Sequence, residues 1–124
     1  MPIKCDNDLE VWQASISLAL DVYAVSATFP KAELFAMTQQ VRRAAISVPS
    51  NIAEGHARGG TREFIRFIRI ARGSLAEIET QLVLAGKLDF VETAEVDRIA
   101  KRLDNISRML RRLEQSLRNR LDVR

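Results

Sequence analysis

Apolar residues recur along this chain at steps of three and four through four long stretches, the pattern of amphipathic helices rather than of strands. The last stretch is the most regular. Val96, Ile99, Leu103, Ile106, Leu110, Leu113 and Leu117 fill seven consecutive core positions of a heptad seam. Before it, Phe64, Phe67, Ile68, Ala71, Leu75, Ile78 and Leu82 mark the inner face of a third helix, and Val41, Ala45, Val48 and Ile52 a seam on the second. On the first, Leu9, Trp12, Ile16, Ala19 and Tyr23 make a main stripe, and Val11, Leu18, Val22 and Val25 a second line beside it. An apolar surface that wide packs against more than one neighbour, or against another subunit.

Breakers and caps set the expected boundaries at about 8–28, 34–55, 61–86 and 93–119. Asp8 and Thr61 are the expected N-caps of helices one and three. Phe29-Pro30 ends the first helix. Pro49 lies inside the second and costs about 3 kcal/mol in an undistorted helix, so the helix is expected to kink or break there, a kink being favoured because the apolar and polar lines both keep their phase across it. His56 to Gly60 reads as an exposed loop, and the chain should fray from Arg120. Gly73 in mid-helix costs about 1 kcal/mol against alanine, and close approach of another backbone is the usual reason for one. Short connections make the whole chain, 1–124, a single all-α domain: an antiparallel up-down-up-down four-helix bundle.

Composition narrows the class without naming an activity. Of 124 residues, 47% are hydrophobic and 28% charged, which excludes a disordered chain. No apolar run approaches the roughly 18 residues of a membrane span, and the N-terminus lacks a signal-peptide core. The single Cys5 forbids an internal disulfide and suits a cytoplasmic protein. Charge is unevenly placed: residues 1–57 hold four Lys/Arg against six Asp/Glu, and residues 58–124 hold fifteen against ten. Fifteen of the nineteen basic residues are Arg, whose planar fork of donors suits phosphate and carboxylate.

Two constellations stand out. Gln40, Arg43, Ser47, Asn51 and Glu54 recur at steps of three and four, a polar line on a different face from the apolar seam. Beside Ser74, Glu77 and Gln81 of helix three they form a candidate network or subunit interface, in which Arg43 and Arg72 would be neutralised by Glu54, Glu77 or Glu79. The second constellation is the outer arginines Arg58, Arg62, Arg66 and Arg69 of helix three with Arg108, Arg111 and Arg112 of helix four. These are the candidate nucleic-acid contacts. Aromatic residues, 6% in all, are too few for base stacking, so binding would be electrostatic and weakly selective. Metal, cofactor and catalytic readings fail on the residue count: one His and one Cys make neither a di-iron nor a zinc site in one chain, and His56 has no acid placed to orient it.

The middle of the chain resembles the four-helix-bundle proteins encoded within intervening sequences of bacterial large-subunit ribosomal RNA genes. The matching residues are Phe29-Pro30 with Glu33, Gln40-x-Arg42-Arg43-Ala44-Ala45-x-Ser47, Asn51-Ile52-Ala53-Glu54-Gly55 and Arg58. They continue with Ala71-Arg72-Gly73-Ser74-x-x-Glu77-x-Glu79-x-Gln81-Leu82. Met37, where such proteins more often have leucine, is a departure that alters packing mildly. The resemblance implies a left-handed bundle assembling into a ring-shaped homopentamer. It also implies kinship with accessory proteins of diversity-generating retroelements, which bind nucleic acid and a reverse transcriptase; the intervening-sequence branch itself carries no settled role. Two functions follow as expectations: a non-enzymatic ring that binds RNA or DNA backbone through outward arginines, or an adaptor ring that docks a protein partner.

Overall fold

The computed structural model describes residues 6–122; Cys5 and the last two residues lie outside them. Four helices follow one another, α1 (Asp6–Ser26), α2 (Gln39–Ala57), α3 (Thr61–Lys87) and α4 (Thr93–Asp122), with no strand among the described residues. Each packs mainly on two others: α1 and α3 each lie against both α2 and α4. One core draws on all four, with Leu18, Ile52, Ile68, Ile78, Leu82, Ile99, Leu110 and Leu117 wholly buried in it.

The seams of α2, α3 and α4 are those expected from the periodicity, but that of α1 is not. Val11, Leu18, Val22 and Val25 are buried, while Ile16 and Tyr23 of the expected main stripe are exposed. Val11, Ser15, Leu18, Val22 and Val25 alternate steps of four and three, and Ser15 completes the seam by donating its hydroxyl to the Trp12 carbonyl at 2.7 Å. A serine so satisfied is cheap to bury. Small side chains also let the helices close in, and the Trp12 and Tyr23 rings, apolar with a polar tip, tolerate the edge. Asp8 lies in the first turn of α1 and is not its cap, since the helix already begins at Asp6.

Between α1 and α2 the chain makes a short 3-10 turn, Lys31–Glu33, and a π-helical segment, Leu34–Thr38, whose backbone leaves helical geometry at Ala36 (φ −123°, ψ −105°). The regular helix therefore begins five residues later than expected. In an unbroken helix Leu34 would share the face of Val41, two turns on. The wider π turn slips that phase, and Leu34 and Phe35 point outward. Further on, α2 runs without a break through the buried Pro49.

The glycine of Asn51-Ile52-Ala53-Glu54-Gly55 does not end α2, which continues to Ala57; it lies where Phe64 and Phe67 of α3 pack against the helix. A Cβ on Gly55 would stand 2.7 Å from Phe67 Cβ and 3.0 Å from Phe64 Cδ1. His56 consequently sits on the helix and not in a loop, half-buried, edge-on to Phe64, with Nε2 3.7 Å from Asp8 Oδ2. The turn is left to Arg58–Gly60, where Gly59 takes φ +81°, and Gly60, with no side-chain bond, precedes α3 in place of the expected Thr61 cap. At the opposite end the Phe29 and Phe90 rings meet at 5.9 Å, and Thr28 Oγ1 reaches the Phe90 carbonyl at 3.2 Å. Arg102 and Arg98 of α4 close on Asp21 of α1 at 2.8 and 3.5 Å. Rather than fraying at Arg120, α4 continues through Asp122.

Two stability predictions follow from these contacts. Gly55→Ala gains up to about 1 kcal/mol of helix propensity but drives a methyl into the Phe67 stem, and overpacking costs about 1–3 kcal/mol. A melting point lowered by several degrees is expected in a thermal scan, and an unchanged or raised one would show that α2 and α3 have room to spare. Burial pushes the Asp8 carboxyl above its usual 3.8, with His56 and Arg120 pulling more weakly the other way. The ionised form thus costs stability above the raised value and nothing below 3.8. Asp8→Asn should melt higher than the wild type near neutral pH, the gap closing as pH falls toward that value. A gap that is negative, or independent of pH, would contradict this.

Candidate functional site

The polar line of α2 assembles in part. Ser47, half-buried, is its hinge: Ser74 Oγ donates to Ser47 Oγ at 2.9 Å, and Asn51 Nδ2 donates to Ser47 Oγ and to the Ser47 carbonyl, both at 2.8 Å. Gln40, Arg43, Ser47, Ser74, Glu77 and Gln81 line one shallow groove between α2 and α3 of about 340 Å³. The Oε1 of Gln81 is buried there with no hydrogen-bond partner.

The expected ion pairs across this groove are not made. Arg43 and Glu77 are exposed and form none among the described residues, an exposed pair gaining little from closure. Glu54 leaves the line to accept from Arg58 Nη2 at 2.7 Å. Arg72 belongs to another face: two residues turn a helix by about 200°, so it cannot share a side with Ser74. Its Nη1 donates instead to Glu114 Oε1 of α4 at 3.1 Å.

The outer arginines divide among faces and do not form one stripe. Arg58 and Arg66 each lie 5.2 Å from the centre of the Phe67 ring and pair with Glu54 and Glu63, so their charge is spent locally. Arg108 pairs with Asp104 at 2.6 Å. Arg62, Arg111 and Arg112 are exposed and make no ion pair among the described residues. Arg111 lines the α3–α4 groove, whereas Arg112, one residue on, lines the groove between α1 and α4.

Glu114 is the element that the sequence reading missed. It is 7% exposed, and three guanidiniums close on its carboxylate. Arg69 Nε stands at 3.3 Å, Arg72 Nη1 at 3.1 Å, and Arg118 Nε and Nη2 at 3.0 and 2.8 Å. Its position four after the core residue Leu110 and three before the core residue Leu117 was the available signal, with Arg118 one turn further on. Gly73 stands beside this cluster, and beyond its own stretch of helix no described atom lies within 4 Å of where its Cβ would be, so no other helix of the same chain accounts for it.

A second feature is apolar, and only its α1 part was foreshadowed by the breadth of that helix's apolar surface. Leu20 is 68% and Phe35 85% exposed, and Ile16, Tyr23, Leu34 and Ile46 are exposed with them on α1, the π segment and α2. Tyr23, Leu34, Phe35 and Ile46 line a groove of about 360 Å³, flanked by Arg42 and Arg43. Arg42 is held by bonds to Ser26 Oγ (2.8 Å) and the Tyr23 carbonyl (3.3 Å), and its guanidinium lies 4.6 Å from the centre of the Tyr23 ring. Among the described residues no group of three or more His, Cys, Asp and Glu gathers as metal ligands would, and no hydroxyl bonds the His56 ring, although Asp8 stands near it. Among the described residues no helix is long and apolar enough to cross a membrane.

Comparison with solved structures places the fold beside a crystal structure of a protein of unknown function from the S23 ribosomal protein family of Bacteroides thetaiotaomicron. The two chains are 21% identical, with a TM-score of 0.81 over 88% of this chain and 98% of the other. A comparison with curated proteins found no match. The family model for the 23S rRNA-intervening sequence protein matches residues 7–112, nearly the whole four-helix core. The residues that carried the resemblance, from Phe29-Pro30 through Asn51-Ile52-Ala53-Glu54-Gly55 to Leu82, all fall within that span, and the chain belongs to the 23S rRNA-intervening sequence protein family.

Proposed function

We propose that this chain is a non-enzymatic scaffold of the cytoplasm, an up-down-up-down left-handed bundle that assembles into a homopentameric ring and holds RNA or DNA by its backbone. The observation that carries the reading is the α3–α4 face, where Arg69, Arg72 and Arg118 converge on the single carboxylate of Glu114 and leave a surplus of positive charge. Arg62 and Arg111, with no ion pair among the described residues, add to it. Polyanion binding by such a face is sequence-tolerant and driven by counterion release. Repetition around a ring turns modest contacts into useful avidity. Self-association is supported by the uncovered band around Leu20 and Phe35, which a monomer would leave in water.

That same band favours a second reading, an adaptor ring whose groove beside Phe35 docks a protein, a reverse transcriptase being the partner implied by the resemblance.

Nucleic-acid binding and ring assembly are each tested in solution. Affinity for a single-stranded oligonucleotide should fall steeply as salt rises, and Arg62→Ala with Arg111→Ala should flatten the log–log slope by roughly 1.5. No saturable binding at about 50 mM salt would remove the nucleic-acid reading. Light scattering should give the mass of a pentamer at micromolar concentration; a stable monomer would remove the ring.

A further inference from the structure

We propose that the α3–α4 groove beside Gly73 is a discrete phosphate subsite, formed by Arg69, Arg72 and Arg111 and shaped by the buried carboxylate of Glu114. It rests on the reading that this face meets phosphate, and it specifies where and how. The groove encloses about 470 Å³, room for a phosphate group and its neighbouring sugar. The groove and the residues clamped to it carry five arginines, Arg69, Arg72, Arg108, Arg111 and Arg118, against three acids, Glu79, Asp104 and Glu114. Asp104 is already held by Arg108, and Glu114 is outnumbered three to one.

Donors remain unspent at this point. Each guanidinium has five N–H groups, and Glu114 takes one from Arg69 and one from Arg72. The Nε of Arg72 is buried and donates to no group among the described residues. Gly73 supplies the space: a Cβ there would meet nothing within 4 Å beyond its own stretch of helix, so packing against the other described elements gives no reason for a glycine in mid-helix. Ala76 keeps the floor low beside it, and Ser107 offers a hydroxyl from α4. Guanidiniums converging from two helices suit a tetrahedral anion with several oxygens, whereas a planar carboxylate is already served by Glu114.

In this arrangement Glu114 is a positioning residue. It stays out of contact with the ligand and holds three flexible arginines in one fan, so their entropy is lost on folding and not on binding. This yields a prediction opposite in sign to simple charge counting. Glu114→Gln makes the face more positive, which alone would tighten polyanion binding; loss of the fan should weaken it about tenfold. Gly73→Leu fills the groove and should weaken binding by a similar factor while leaving the melting point equal or higher, since leucine is the better helix former.

The test is fluorescence anisotropy on the full chain with a mixed-sequence single-stranded oligonucleotide at about 50 mM salt, with thermal melts on each variant. Competition by inorganic phosphate and by a nucleoside monophosphate is measured against chloride at equal ionic strength. The subsite is supported if both variants bind about tenfold more weakly and phosphate displaces the oligonucleotide better than chloride does. A monophosphate that competes as well as the oligonucleotide assigns the subsite to a free phosphate ester; a far weaker one assigns it to the chain backbone. Should Glu114→Gln melt well below the wild type, Gly73→Leu alone decides. Wild-type binding with Gly73→Leu unimpaired, or with a folded Glu114→Gln equal or tighter, overturns the subsite and leaves the wider face standing. No wild-type binding overturns both.

Discussion

Burying a carboxylate is costly unless cations and hydrogen-bond donors close around it, and at Glu114 this fold accepts that demand. The heptad seam of α4 carries Glu114 inward because it stands between Leu110 and Leu117 on nearly the same side of the helix. Once there, it draws Arg69 and Arg72 across from α3 and Arg118 back along α4. Removing the acid would leave three like charges close together; removing any one arginine would still leave two. Such a pair of helices has its relative register set by charge as well as by leucine, and the cost of that register is a surplus of positive charge on the outside.

The rest of the structure divides by what each face covers. Between α2 and α3 the contact is intimate, with Gly55 giving way to the stem of Phe67 and Ser47 linked to Ser74 and Asn51. Between α1 and α4 Asp21 is clamped by Arg98 and Arg102. Outside these contacts lie two unlike surfaces, the arginine face of α3 and α4 and the apolar band of α1 and α2. A chain carrying both has one face suited to polyanions and another suited to protein.

Much of the fold could be read in the sequence because its seams are long and regular. Seven heptad positions in α4 leave little doubt of a helix, and the inner face of α3 is equally plain. Where reading failed, a local choice had been settled by contacts between elements. In α1 two apolar lines competed, and a serine, counted as polar, completed the winning one. The π turn slipped Leu34 and Phe35 outward, which no periodicity announces. Gly55 was read as a helix end when its reason was the neighbouring helix, and Gly73 was assigned a neighbour that the chain does not supply. Among site residues, the Ser47, Asn51 and Ser74 network was legible from spacing. Arg72 was placed with the wrong carboxylates because Glu114, an acid between two seam leucines, was passed over.

The central claim is that Glu114 holds an arginine fan still before any ligand arrives, and side-chain ¹⁵N relaxation of the arginine Nε–H groups tests it most directly. Arg69, Arg72 and Arg118 should show order parameters approaching the roughly 0.85 of rigid backbone, with Arg62 and Arg112 below about 0.6. Arg72 as mobile as Arg62 in the free protein would contradict it.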